Sequence, residues 1–293
     1  MSLYDNPKVV YWLRDPFWGG IDYAAYYALR SLPTRMVSDI GSRLGLAAGR
    51  FRFPEMTAQA DHGLGLIRPD LTASARGEIV RKMWANVGRA EAEMTVLDRL
   101  LDEFDITVVN KKNFQEPVRA KRPIVFVFPH LGNWEALAIV GRRHGVVLNV
   151  VYEELKNRFE RNLAAKARRQ IGYRLIPPNF LGLREIFLAL ERGESVGIAI
   201  DEYRNGNVIS PAFGRTLPND SNIRYALRLA RRFGAAIVPC VCIRTSPYAF
   251  RLTVHDEMIN PDVADLNSLC ESWIRAYPEQ WYMLHRLSME FAP

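Results

Sequence analysis

Hydrophobic and polar positions recur with two different periods along this chain, and the change comes near residue 105. Before it, apolar residues return every three or four positions. Tyr23, Tyr26, Tyr27 and Arg30 follow this spacing, as do Ile79, Met83, Val87 and Glu91, and it is the period of an amphipathic helix. Asp70 or Thr72 is placed to cap a long helix that runs toward Phe104. After residue 105, short runs rich in β-branched and aromatic residues alternate with helical stretches. Ile106–Asn110, Ile124–Phe128, Val146–Tyr152, Tyr173–Ile176, Val196–Ile200, Ala236–Ile243 and Phe250–His255 predict strands. Trp134–Arg143, Arg158–Ile171, Leu183–Arg192 and Ile223–Phe233 predict helices between them. Ser246-Pro247 leaves little chain between the last two strands, which predicts an antiparallel hairpin at one edge of the sheet. A helical tail, about Asp265 to Leu287, closes the pattern.

Strands interleaved with helices are covered on both faces, and such sheets are mostly parallel. The expected fold is therefore α/β, with a mixed, largely parallel central sheet flanked by helices and a helical N-terminal extension. Residues 1–104 form that helical region and residues 105–293 the α/β core with its tail, together one continuous globular unit.

Composition adds constraints. The chain has 293 residues, 48% of them hydrophobic and 24% charged, which is ordinary globular usage. Its 39 Lys and Arg exceed 32 Asp and Glu, for a net charge of +7. That excess favours acidic partners such as anionic lipid or an acidic carrier protein. The 3 cysteines are too few for a disulfide framework and point to a reducing compartment. No run approaches the roughly 18–20 apolar residues of a bilayer crossing, and the start of the chain lacks a signal-peptide pattern. Tyr11, Trp12, Phe17, Trp18, Tyr23, Tyr26 and Tyr27 are interspersed with Lys8, Arg14 and Arg30. Aromatics mixed with cations suit a helix lying in the headgroup layer of a membrane; packing on the α/β core is the alternative.

The strongest chemical signal is Phe126-Val-Phe-Pro-His130-Leu-Gly-Asn133-Trp-Glu135. An apolar strand stops at Pro129, His130 follows its carboxyl end, Gly132 permits a tight turn, and Asn133 can cap the next helix. Open α/β sheets place their sites at such strand ends. An imidazole there can act as a general base near neutral pH, and a nearby carboxylate would hold one ring tautomer. Other motifs carry less. Gly193-Glu-Ser195-Val-Gly197 has the letters of a nucleophile elbow, but a helix precedes it and a strand follows, the reverse of what an elbow needs. Cys240 and Cys242 alternate on one strand without nearby His, so they read as packing rather than metal ligands. No phosphate-binding loop, zinc motif or dinucleotide fingerprint is present.

The run Pro129-His-Leu-Gly-Asn-Trp-Glu135 resembles the His-x-x-x-x-acid motif of the bacterial lipid A late acyltransferases (lauroyl and myristoyl transferases), within a glycerolipid acyltransferase-like superfamily. Val151-Tyr-Glu-Glu-Leu-Lys-Asn157 is similar to that family's Val-Tyr-Arg-Pro-Leu-Lys-Asn block. Leu183-Arg-Glu, Leu190-Glu-Arg-Gly-Glu, Ile200-Asp201, Phe213-Gly-Arg215, Pro278-Glu-Gln-Trp281 and His285-Arg286 resemble later blocks, in the same order from about residue 70 onward. Glu153 and Glu154 depart from the pattern, standing where the family carries Arg and Pro.

The resemblance implies transfer of a fatty acyl group from an acyl thioester, on acyl carrier protein or coenzyme A, to a hydroxyl of a lipid A precursor-like acceptor. These thioesters are co-substrates; no resident cofactor, metal or nucleic acid is implied. It further implies a peripheral enzyme at the cytoplasmic face of the inner membrane. His130 would take the hydroxyl proton, and Glu135, or Asp201 at the end of another strand, would support the imidazolium. Backbone N–H groups around Gly132 and Asn133, with Arg215, are the candidates for the oxyanion, each donor worth roughly 3–4 kcal/mol in comparable sites. No covalent enzyme intermediate is required. The alternatives are a thioesterase or esterase on the same scaffold, a transferase with another acceptor, and a non-enzymatic binding protein. Basic positions on two predicted helices, Arg158, Arg161, Lys166, Arg168 and Arg169 on one and Arg228, Arg231 and Arg232 on the other, are either solvated faces or a dock for acidic acyl carrier protein.

Overall fold

A computed structural model describes residues 6–152, 155 and 157–288. Glu153 and Glu154 lie outside the described residues. The helical region opens with α1 (Pro7–Val9), which continues through a π-helical turn into α2 (Asp15–Arg30). Then come α3 (Thr34–Ala47), α4 (Pro54–Ile67), α5 (Ala73–Glu93) and α6 (Leu97–Glu103). Thr72 caps α5 by accepting from the Ala75 N–H. The helix expected to run on toward Phe104 instead breaks at a 3-10 turn, Met94–Val96.

The α/β part runs β1 (Asp105–Val109), α7 (Lys112–Arg119), β2 (Ile124–Phe128), α8 (Ala136–Arg143), β3 (Leu148–Val151), α9 (Arg158–Gln170), β4 (Tyr173–Ile176), α10 (Phe180–Glu191) and β5 (Ser195–Ala199). A small hairpin follows, β6 (Glu202–Arg204) and β7 (Asn207–Ser210), then α11 (Asn222–Phe233), β8 (Ala236–Ser246), β9 (Ala249–Val254) and α12 (Val263–Ala276). The expected helical tail is α12 followed by two 3-10 turns, because Pro278 cannot continue a helix.

Seven strands form the main sheet in the order β1-β9-β8-β2-β5-β3-β4. The pairs β2–β5, β2–β8, β3–β5, β3–β4 and β1–β9 are parallel, and β8–β9 is antiparallel. The last two strands do form a hairpin, but it is not at the edge: β1 pairs outside β9 and occupies that position. Every residue of β2 is buried, as a central parallel strand covered on both faces requires.

Two cores flank the sheet. On one side Ile186 of α10, Ala226 of α11 and Ile274 of α12 pack with Leu64 of α4 and Met83 of α5. On the other, Leu137 of α8 and Ala167 of α9 meet Phe126 and Phe250. The helical region is tied in by polar contacts as well. The buried Glu93 carboxylate of α5 accepts from Arg244 of β8 at 2.8 Å, from Asn133 at 2.8 Å and from Ser38 of α3 at 2.6 Å. Glycine backbones let α3 and α5 approach closely: a Cβ at Gly41 would meet the Gly88 carbonyl at 2.3 Å.

Candidate active site

The register of two neighbouring strands builds the site. β2 and β5 run parallel with Phe128 opposite Ala199, and the Ile200 N–H continues the ladder onto the Phe128 carbonyl at 2.9 Å. Two residues further on, where the strands end, His130 and Asp201 therefore stand side by side. Asp201 Oδ1 lies 2.8 Å from His130 Nδ1, and Oδ2 accepts from the His130 backbone N–H and from the Trp281 indole N–H, both at 2.9 Å. The Asp201 side chain is 0% exposed and the His130 side chain 23%. An ionised carboxylate only accepts, so the Nδ1 partner assigns the ring proton to Nδ1 and leaves Nε2 with its lone pair free to accept. Trp134 meets the imidazole edge-on at a centroid distance of 4.7 Å, and the His130 carbonyl accepts from the Tyr282 N–H at 3.0 Å.

The turn after His130 is locked from beneath. Gly132 has φ +59°, and a Cβ there would meet the Cys242 carbonyl at 2.6 Å, so both conformation and space call for glycine. Its N–H donates to the Gln280 carbonyl at 3.2 Å, and the Leu131 N–H to the Pro129 carbonyl at 2.9 Å. The Leu131 and Gly132 N–H groups, expected to face an oxyanion, are thus engaged within the turn and its support. The Asn133 side chain is structural too: Nδ2 donates to Glu93, and Oδ1 accepts from the Glu135 N–H at 3.2 Å.

Two further expectations change. Glu135 does not face His130: its Oε1 accepts from Arg168 Nε at 3.0 Å and Nη2 at 2.9 Å. Glu135 opens α8 and looks toward α9, whereas the neighbour of His130 is fixed by strand pairing. Burial works against the Arg168 charge, yet the Glu135 carboxylate holds its pKa above the ordinary value. Arg215 does not line the cavity that holds the imidazole, and its guanidinium donates to the carbonyls of Ala212, Val208, Pro211 and Ser288. Ser195, at the opposite end of β5 from Asp201, is buried and pairs in register with Ile124. Cys240 and Cys242 are packed in the core, where burial raises the Cys242 thiol to about 12.

His130, Trp134 and Asp201 line a cavity of about 920 Å³ at the carboxyl ends of the parallel strands. Its apolar wall includes Val150, Leu175, Ile186 and Ile198, and its cations are Arg161, Arg168 and Arg204. A partly exposed imidazole with a buried carboxylate, opening into a largely apolar cleft, makes a site that can activate a hydroxyl beside an apolar substrate. Trp281, Glu93 and Arg168 went unrecognised from sequence. Trp281 had a signal, since it closes the Pro278-Glu-Gln-Trp281 block; Glu93 and Arg168 sit in helical patterns indistinguishable from surface charge.

Comparison with known proteins identifies the family. A family model described as "Bacterial lipid A biosynthesis acyltransferase" matches residues 9–288, and the chain belongs to that family. It is an acyltransferase of lipid A biosynthesis, moving an acyl group to a lipid acceptor. The crystal structure of the 1-acyl-sn-glycerophosphate (LPA) acyltransferase PlsC from Thermotoga maritima is similar at 14% identity and a TM-score of 0.36, covering 83% of this chain and 99% of that one. No curated protein matches the chain. No helix among the described residues is long and apolar enough to cross a membrane.

Proposed function

We propose that the protein transfers a fatty acyl group directly from an acyl thioester, on acyl carrier protein or coenzyme A, to a hydroxyl of a lipid A precursor-like acceptor. The observation that carries this reading is the His130–Asp201 pair at the cavity. The acceptor oxygen attacks the thioester carbonyl while His130 Nε2 removes its proton. Asp201 fixes the tautomer and stabilises the imidazolium. When the tetrahedral adduct collapses, the C–S bond breaks and the imidazolium returns the proton to the leaving thiolate, so no covalent enzyme intermediate is needed. With the Leu131 and Gly132 N–H groups engaged, we assign the developing oxyanion to Arg168, the cavity guanidinium anchored by Glu135.

We also propose a peripheral position at the cytoplasmic face of the inner membrane, a reading that α2 and the turn before it support. Trp12 is 69% exposed and Phe17 64%, beside Arg14, in the pattern of a helix lying in the headgroup layer. Exposed Lys166 and Arg169 on α9 and Arg142 on α8 offer cations to an acidic carrier protein.

Incubation with acyl-carrier-protein thioester, with and without lipid acceptor, tests the proposal. Acceptor-dependent thioester loss supports transfer. Acceptor-independent loss supports hydrolysis instead, and no turnover refutes both.

A further inference from the structure

The entrance to the cavity has a chemistry that its interior does not explain. Six residues line the cavity and are also exposed, marking its mouth: Glu91, Pro178 and Asn179, and the aliphatic Val151, Leu155 and Leu183, which are 45%, 40% and 36% exposed. Beside them, at the start of α10, Phe180 is 80% exposed and Leu181 63%, and neither lines the cavity. This pair is held outward by a rigid turn. The Asn179 side chain caps α10 by accepting from the Gly182 N–H at 3.0 Å, and the Asn179 N–H donates to the Pro177 carbonyl at 2.9 Å. A Cβ at Gly182 would fall 1.9 Å from that same Pro177 carbonyl, so the turn packs as tightly as backbone allows.

A turn built so firmly to hold Phe and Leu in water calls for an apolar partner. We propose that the mouth of the cavity, with Phe180 and Leu181 as its leading edge, inserts into a bilayer of anionic phospholipid. This deepens the transfer reading and rests on it for the cavity's role. The occupant is indicated by continuity with α2. Tyr11 lies under the Arg158 guanidinium at 3.8 Å, and Gly19 packs on Phe159. The aromatic N-terminal face and the mouth thus meet around the start of α9. Two apolar contacts that meet around one helix start fix the orientation of a peripheral protein, and an acyl or acceptor chain then reaches His130 from bilayer to cavity without crossing water.

The native cysteines are buried, so Leu181→Cys can carry an environment-sensitive fluorophore alone. With vesicles of phosphatidylglycerol and phosphatidylethanolamine, its emission shifts to the blue. Phe180→Ser with Leu181→Ser binds the same vesicles at least about 10-fold more weakly, a lower bound for two apolar side chains that are partly inserted in lipid. That variant also loses transfer to an acceptor in vesicles while keeping transfer to acceptor in detergent micelles. An unshifted probe, whether or not the protein sediments with the vesicles, overturns the proposal. A shift produced by acyl carrier protein without vesicles overturns it too, in favour of a protein dock. If no thioester turns over under any condition the transfer reading fails, and the probe still decides the mouth independently.

Discussion

Asp201 Oδ1 stands 2.8 Å from His130 Nδ1 although the two residues are 71 apart in sequence. The carboxylate nearest along the chain, Glu135, is spent on Arg168. Two acids thus have separate work: one sets the imidazole, the other anchors a cavity cation.

Replacing Asp201 by Asn keeps the shape of the residue but turns an obligate acceptor into a group that can donate to Nδ1. The ring then favours the tautomer with its proton on Nε2, which cannot take a proton from the acceptor. Steady-state kinetics should show kcat lower by about 10²- to 10⁴-fold with little change in KM. An unaltered kcat would separate Asp201 from catalysis.

Glu135→Gln leaves the Arg168 guanidinium deep in the cavity wall without its counter-charge. The expected cost is about 3 kcal/mol in denaturant unfolding, at the lower end of the range for a broken buried pair because Arg168 keeps 24% exposure. Adding Arg168→Met should recover much of that loss of stability and none of the activity. Additive destabilisation in the double variant would argue that the pair is not coupled.

His285 is buried beside Trp84, with ring centroids 5.2 Å apart, and burial pushes its pKa from 6.5 down to about 4, helped by Arg286. The folded state thus resists a proton that the unfolded chain accepts. Its contribution is fully present above pH 6.5 and is lost as pH falls toward 4. The loss amounts to at most about 3 kcal/mol. Urea unfolding of His285→Gln should depend less steeply on pH across this window than that of the native protein; parallel curves would place the acid sensitivity elsewhere.

Substituting Trp12, Phe17 and Trp18 together by Ser removes exposed apolar surface without touching either core. Sedimentation with anionic vesicles should weaken, while turnover of soluble thioester with detergent-dispersed acceptor is maintained. Unchanged sedimentation would remove the N-terminal face from the membrane contact.

Much of the fold was legible because parallel strands are buried on both faces. β2 and β4 begin and end where their apolar runs do, at Ile124–Phe128 and Tyr173–Ile176. The β6–β7 hairpin was missed although it turns on Asn205-Gly206, both with positive φ, a strong local hairpin signal. Its strands are too short for apolar alternation to mark them. The outer position of β1 was hidden for another reason, since its pairing with β9 joins segments far apart in sequence. His130 was legible from the strand-turn-helix grammar around it. Its partner was left open between two acids: spacing along the loop offers Glu135, and strand register chooses Asp201, the alternative at the end of another strand. Arg215 belongs to a matching block, but only packing reveals that its guanidinium serves four carbonyls instead of the cavity.

The most direct test of the central claim is turnover of acyl thioester by His130→Ala with lipid acceptor present and the fold verified by its unfolding transition. Removing the general base should lower kcat by at least ~10²-fold. A correctly folded variant that still transfers at near-native rate would contradict the account.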